Sequence, residues 1–339
     1  MQARARTSGP GRSDWLEGAI NGIASPSVAR GYRAVCGRPA AFDNAHASPV
    51  GSCAGPSHVS PQLRLRAALV LLTCAFHSAA QQVQYVKVPP SVLEERLRGV
   101  TDKTSDREQT LHELFESAGC KQSSLDEQPV KHARTPNIVC TLAGTDERRV
   151  VVGAHYDKVA TGHGVIDNWS GASLLPSLFE GLHGKPRRLT FVFIGFTDEE
   201  KGLVGSRYYV GHLTKEDQTK ILAIVNIDSL GLSDTKIWLS RADKHLANAA
   251  AAVAHATNPP VSVVDVERVG ESDSRPFLDA RIPVIDFHSL TQETFRILHS
   301  SNHAFPALKM KECLDSCNLL VAYLAYLDAT VGASPQPAP

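Results

Sequence analysis

Short runs that are apolar at every position constrain this chain more than any other feature. Val150-Val151-Val152 and Phe191-Val192-Phe193-Ile194 contain no polar side chain. Successive side chains of a strand point to opposite faces, so runs of this kind need cover on both. Six stretches read as strands: Asn137–Leu142, Arg149–Ala154, Leu189–Phe196, Leu222–Ile227, Lys236–Leu239 and Pro283–Phe287. Helical patterns lie between and after them, at Ala172–Leu182, Leu203–His212, Lys244–Ala256 and Met310–Leu327. Upstream, Leu93, Leu97, Val100, Leu111, Leu114 and Phe115 recur at helical spacing, in one or two helices broken near Thr101–Ser105. Strands alternating with helices predict an α/β fold: a single three-layer domain whose mostly parallel or mixed sheet has helices on both faces. No repeat or linker interrupts it after residue 90, and its size of roughly 240–250 residues is ordinary for one domain.

The N-terminal part reads differently. From Met1 to about Pro61, Ala, Arg, Gly, Pro and Ser dominate without an apolar period, so little surface could be buried to offset ordering entropy. Arg64-Leu65-Arg66, the apolar run 67–76 and His77-Ser78-Ala79-Ala80-Gln81 then follow in the basic, apolar, small-residue order of a secretory signal. The run is too short for a permanent bilayer span. A buried core segment is the plainer alternative for 67–76, and a lipid anchor on Cys74 is disfavoured by Thr73 before it. The expected division is 1–60, a disordered or over-extended start with Val50 or Val59 as initiator; 61–80, a signal peptide; 81–332, the folded domain; and 333–339, a disordered tail. Export to the periplasm or the exterior is expected to follow.

Lys+Arg and Asp+Glu balance at 35 each, so no broad field draws the chain to nucleic acid or acidic membranes. Four of seven cysteines, Cys120, Cys140, Cys313 and Cys317, fall within 81–332. Export permits disulfides, but their connectivity cannot be read from spacing. Cys313 and Cys317 stand one helical turn apart, which rarely suits a bridge. None shows the C-x-x-C spacing of a structural zinc site.

In open α/β sheets, ligands gather at the carboxyl ends of strands. Here one strand leads into His155-Tyr156-Asp157, a second into Thr197-Asp198-Glu199-Glu200 and a third into Asp228-Ser229. A fourth leads through His288 to a loop holding His299 and His303, and a Gly-flanked turn carries Asp167-Asn168. Each has an ordinary reading alone: a helix cap for Asp198 or Asp228, a surface carboxylate for Asp157, a backbone-bonded ring for a lone His. Together, His and carboxylate groups at several strand ends suit Zn²⁺, which takes nitrogen and oxygen ligands. Adjacent Glu199 and Glu200 would repel unless a cation meets one and the other accepts a proton. Gly162-His163-Gly164 lacks the Lys and Ser/Thr of a phosphate loop, and no G-x-S-x-G elbow supplies a serine nucleophile.

Gly153-Ala154-His155-Tyr156-Asp157, Asp167-Asn168-Trp169-Ser170-Gly171, Asp198-Glu199-Glu200-Lys201-Gly202-Leu203-Val204-Gly205-Ser206 and Asn226-Ile227-Asp228-Ser229 stand in that order. They resemble the secreted zinc aminopeptidases with co-catalytic metals, relatives of bacterial leucyl aminopeptidase and glutaminyl cyclase, over about residues 90–330. The resemblance implies a zinc exopeptidase-like fold and two Zn²⁺ ions. His155 and Asp228 would bind one ion, Glu200 and His299 the other, with Asp167 between them. Glu199 would be the general base, and Asp157 the carboxylate that fixes the His155 tautomer from two residues along an extended strand.

The activity so implied is removal of N-terminal residues from peptides. A single-zinc glutaminyl cyclase, a carboxypeptidase or dipeptidase relative and a non-catalytic binding protein are the alternatives. His155 in the H-Y-D block and the intact Glu199-Glu200 pair favour hydrolysis with two metals. The chain departs from the family's pattern at His303, where an acid commonly stands, and at Ser274, where a His often follows the Ser-Asp pair. Ile297-Leu298-His299-Ser300 fits the terminal ligand, leaving His288 as structural. Phe277, Trp169 and Tyr156 either line a specificity pocket or pack in the core.

Overall fold

In a computed structural model that describes residues 83–266 and 270–331, eight strands form one sheet. They are β1 (Leu125–Gln128), β2 (Asn137–Leu142), β3 (Arg149–His155), β4 (Thr190–Phe196), β5 (Ile221–Ile227), β6 (Thr235–Ile237), β7 (Val261–Val263) and β8 (Val284–His288). Their spatial order is β1-β2-β4-β3-β5-β8-β6-β7. The central β4-β3-β5-β8 block is parallel, β1 and β2 run antiparallel on one side, and β6 opposes β8 on the other.

Eight helices accompany the sheet among the described residues: α1 (Pro90–Arg98), α2 (Thr104–Ser117), α3 (Leu174–Leu182), α4 (Val204–Gly211), α5 (Lys215–Lys220), α6 (Lys244–Thr257), α7 (Arg275–Asp279) and α8 (Met310–Thr330). A single helical turn, Ser170–Ala172, precedes α3. Local chemistry sets several ends. Pro90 occupies the first turn of α1, where its missing N–H is not needed. Asp243 accepts the N–H groups of His245 and Leu246 at the start of α6, and Asn258 ends that helix in the left-handed region.

The apolar runs resolve into two interleaved faces. Val150, Val152, Phe191 and Phe193 join the core beneath α1, α2, α3, α6 and α8. Val151, Val192, Ile194 and Phe196 face the other way, toward Tyr209 and Val210 of α4 and Phe277 of α7. Phe277 is fully buried, with ring centroids 6.3 Å from Phe196 and 6.0 Å from Tyr209, so it is a core residue. Trp169 and Tyr156 are likewise fully buried; the indole N–H donates to the Arg96 carbonyl and the phenol to that of Pro136. None of the three lines the cleft described below.

The expected strands and long helices appear within a few residues of their predicted bounds. β1, β7, α5 and α7 were not anticipated. β1 exposes Asp126 and Glu127 on an edge, and β7 is three half-buried residues, so neither carries a strong apolar signal. Cys120 and Cys140 form a disulfide that ties the end of α2 to β2, with Cα atoms 6.3 Å apart. Cys313 and Cys317 are free and buried on α8. No helix of the described residues is long and apolar enough to cross a membrane. The predicted N-terminal extension (1–60), signal (61–80) and tail (333–339) lie outside the described residues.

Candidate metal centre

The carboxyl ends of β3, β4 and β5 lie side by side, because these strands are neighbours in register. His155 is the last residue of β3. Its Nε2 lies 3.1 Å from Asp167 Oδ1, 3.8 Å from Asp228 Oδ1 and 3.9 Å from Glu199 Oε2. His299 Nε2 lies 3.0 Å from Asp167 Oδ2 and 3.4 Å from Glu200 Oε1. Among the described residues, two groups could hold a metal ion: His155, Asp167 and Asp228, and Asp167, Glu200 and His299. Both contain Asp167, and together they comprise the five residues singled out in the sequence. His288 is in neither; its Nε2–H donates to the Val264 carbonyl and its Nδ1 accepts from Leu290, as a structural histidine would.

The turns that carry these residues are pinned by their neighbours. Asp157 is buried and accepts the backbone N–H groups of Glu199 at 3.0 Å and Glu200 at 3.3 Å. The same carboxylate stands 3.3 Å from His155 Nδ1, so it orders the Glu-Glu turn as well as facing the ring. In the Asp167-Asn168-Trp169-Ser170-Gly171 block, Asn168 donates to the Ile227 carbonyl and accepts from Gly171 and Ser229. Ser170 donates to Ile166 and accepts from Leu230. The Asp167 turn is thereby stapled to the Asp228 turn. Gly171 is required by close approach, since a Cβ there would stand 2.7 Å from the Ile227 carbonyl oxygen.

Asp198 corrects a sequence expectation. It stands at the head of the short 3-10 turn Glu199–Lys201, but its side chain makes no capping bond; it sits in the left-handed region at φ 53° and its side chain accepts from Lys201 Nζ at 2.8 Å. With Gly202 at φ 104° and Leu203 at φ 61°, it turns the chain sharply after β4 so that Glu199 and Glu200 face the site.

Electrostatics show which kind of partner the cluster suits. Burial, joined by Asp273, Asp228 and Asp167 and opposed by His155, pushes the Glu199 carboxyl up to about 10. Burial and Asp167 raise Glu200 to about 7 against the two histidines. Burial favours a neutral His155, but Glu199, Asp157, Asp167 and Asp228 outweigh it and hold its pKa well above the ordinary value. Burial would also raise Asp167, but the two histidines hold it below the usual carboxylate range. Both nitrogens of His155 and Glu200 Oε1 are buried without a hydrogen bond that satisfies its geometry. Crowded carboxylates around unsatisfied imidazole nitrogens are the donor set a divalent cation offsets. The residues fit zinc.

Arg107 was missed from sequence, and the Ser272-Asp273-Ser274 stretch was noted there only for its departure at Ser274. Arg107 of α2 is fully buried and donates to four backbone carbonyls, those of Thr101, Tyr156, His163 and Gly164. It thereby shapes the loop between His155 and Asp167. Burial pulls its pKa down to about 10, so it stays charged at neutral pH. Asp273 is buried with neither oxygen in a hydrogen bond of good geometry, and burial raises its carboxyl to about 7 against His155 and the nearby Ser206 hydroxyl. Ser274, in place of the family's His, donates to Asp286, which also accepts from Asn226. Arg107 leaves no local signal in the sequence.

The centre opens on a cleft of about 560 Å³ whose walls include Trp238, Leu290, Phe295 and Leu298 as well as Glu199, Asp228 and His299. The model of peptidase family M28 matches residues 137–325, more than half of the chain. Leupeptin-inactivating enzyme 1 of Streptomyces exfoliatus is 30% identical over 151 residues, which cover 44% of this chain and 34% of that protein. The chain thus spans about a third of that relative's length. A solved zinc aminopeptidase from Bacillus subtilis superposes with a TM-score of 0.52 at 25% identity, over 56% of this chain and 49% of that one. A glutaminyl cyclase from an Acidobacteriales bacterium reaches a TM-score of 0.63 at 15% identity, over 74% of this chain and 98% of that one, a likeness of fold alone. The blocks that form the two ligand groups thus lie in a matched span on a shared fold, with His299 included, and the chain belongs to peptidase family M28.

Proposed function

We propose that the chain is an aminopeptidase whose His155, Asp167, Glu200, Asp228 and His299 hold two zinc ions. The observation that carries this reading is the sharing of Asp167 by two ligand groups that border one cleft. His155 and Asp228 would take one ion, Glu200 and His299 the other, and Asp167 would present one oxygen to each. Bound zinc would polarise the scissile carbonyl and acidify the attacking water.

Glu199 belongs to neither ligand group, yet it stands half-buried beside them. Its carboxylate is the base that takes a proton from the water and then delivers it to the leaving amine. Asp157 keeps Glu199 aimed through the backbone N–H. The apolar walls of the cleft receive the side chain of a peptide's N-terminal residue.

Two complete ligand groups support hydrolysis over single-zinc cyclisation, and an intact Glu199 supports catalysis over simple binding. Export is supported by the order of residues 64–81 and by the Cys120–Cys140 bridge, which suits an oxidising compartment. The decisive experiment is Glu199→Gln. The variant should keep its zinc and lose turnover of aminoacyl-anilides by about 10²- to 10⁴-fold. Wild-type turnover in that variant would contradict the mechanism.

A further inference from the structure

His303 occupies a position that neither ligand group uses. Its side chain is fully buried, and Nε2 accepts the N–H of Ile166 at 3.0 Å and that of Asp167 at 2.9 Å. Two donors on one ring nitrogen require its lone pair, so the neutral ring carries its proton on Nδ1. Nδ1 itself is buried without a partner, and the Nε2 bonds are therefore what the imidazole contributes here.

The backbone around it is tied as well. His303 N–H donates to the Ser300 carbonyl at 3.1 Å, and the His303 carbonyl accepts the His163 N–H at 2.8 Å. There is no slack on that side: a Cβ on Gly162 would stand 2.8 Å from His303 Cβ and 2.5 Å from the Ser300 carbonyl oxygen. Four residues before His303, His299 reaches Asp167 Oδ2 from a half-exposed loop. The Asp167 turn and the His299 loop therefore meet on one imidazole.

We infer that His303 is a positioning residue: through the Nε2 lone pair it holds the Asp167 turn and the His299 loop in register, so that Asp167, Glu200 and His299 close on one cation. The inference rests on the metal reading given above. It predicts that any side chain able to offer an acceptor at that point will serve, and that one falling short of it will not.

The test uses the full chain with His303→Gln and His303→Asn. The glutamine places an amide oxygen within reach of both N–H groups; the asparagine carries the same amide on a stem one carbon shorter. Zinc is titrated against a competing chelator, Co²⁺ absorption reports each site's geometry, and thermal unfolding of the metal-free proteins is the control. His303→Gln should bind two ions as the wild type does. His303→Asn should bind one ion normally and the other about 10- to 100-fold more weakly, with an altered Co²⁺ spectrum. Wild-type affinity for both ions in His303→Asn would overturn the inference, as would a glutamine variant as weak as the asparagine one. A lowered unfolding temperature with unchanged metal binding would overturn it too, leaving a structural role only. Should His303→Asn not fold, His303→Gln decides: loss of the second ion refutes, retention supports. A wild-type protein that takes up fewer than two ions would defeat the metal reading and this inference with it.

Discussion

The two ligand groups share Asp167 but are held by different parts of the molecule. His155 ends a central strand and is buried, and Asp228 follows the next strand in a turn stapled by Asn168 and Ser170. His299 stands on a loop of short turns, 53% exposed and at φ 55°. It meets the rest of the centre at Asp167 and Glu200, and its loop is tied to the Asp167 turn through the buried ring of His303. The first group is a by-product of sheet register; the second exists only once a loop has docked. An ion at the first should accordingly be harder to remove than one at the second, because less ordering is left for binding to impose.

Substitutions can break this comparison or sharpen it. Asp167→Ala removes the oxygen atoms common to both groups. It should abolish binding of both ions and lower aminoacyl-anilide turnover by about a thousand-fold or more, equivalent to about 4 kcal/mol. Retention of one tightly held ion would show the groups to be independent. His299→Ala should reduce zinc stoichiometry from two to one and leave the His155 ion in place, as read by metal analysis after dialysis. An unchanged stoichiometry would transfer the ligand role elsewhere in the loop.

Arg107→Met tests the scaffold behind the first group. Removing a buried cation that donates to four carbonyls should cost about 3 kcal/mol of stability, measured by urea unfolding of the metal-free chain. A change within about 0.5 kcal/mol would show that the 156–164 loop holds its shape without it.

A pH-dependent effect concerns His288, whose pKa burial lowers to about 4 against its bond to Val264. The unfolded chain titrates near the ordinary value of about 6.5, so between these values it binds more protons than the folded one. Stability should therefore fall as pH drops from about 6.5 to 4, by up to about 1.4 kcal/mol per unit from this residue. His288→Gln should flatten that slope, and an identical slope in the variant would contradict the assignment.

What could be read from sequence follows the same division. Strands such as Val150–Val152 and Phe191–Ile194 announce themselves because both faces are covered, and the ligands at their ends come with fixed spacing. His155, Asp157, Glu199, Glu200 and Asp228 could be singled out for that reason, and Asp167 by its Gly-flanked turn. His299 was legible only as one of three histidines in a loop, where distance along the chain says little about distance in space. Arg107 and His303 act on backbone atoms 49 to 137 residues away, and no periodicity encodes such contacts. The Cys120–Cys140 bridge and the polar edge strand β1 were hidden likewise, since pairing depends on packing that spacing does not reveal. Asp198 misled because a carboxylate after a strand usually caps, whereas here the chain turns through the left-handed region instead.

The most direct measurement of the central claim is an anomalous difference map at the zinc edge from crystals of the zinc-loaded protein. Two peaks are predicted, one between His155, Asp167 and Asp228 and one between Asp167, Glu200 and His299, with no density on Glu199. A single peak, or a peak coordinated by Glu199 in place of Glu200, would contradict it.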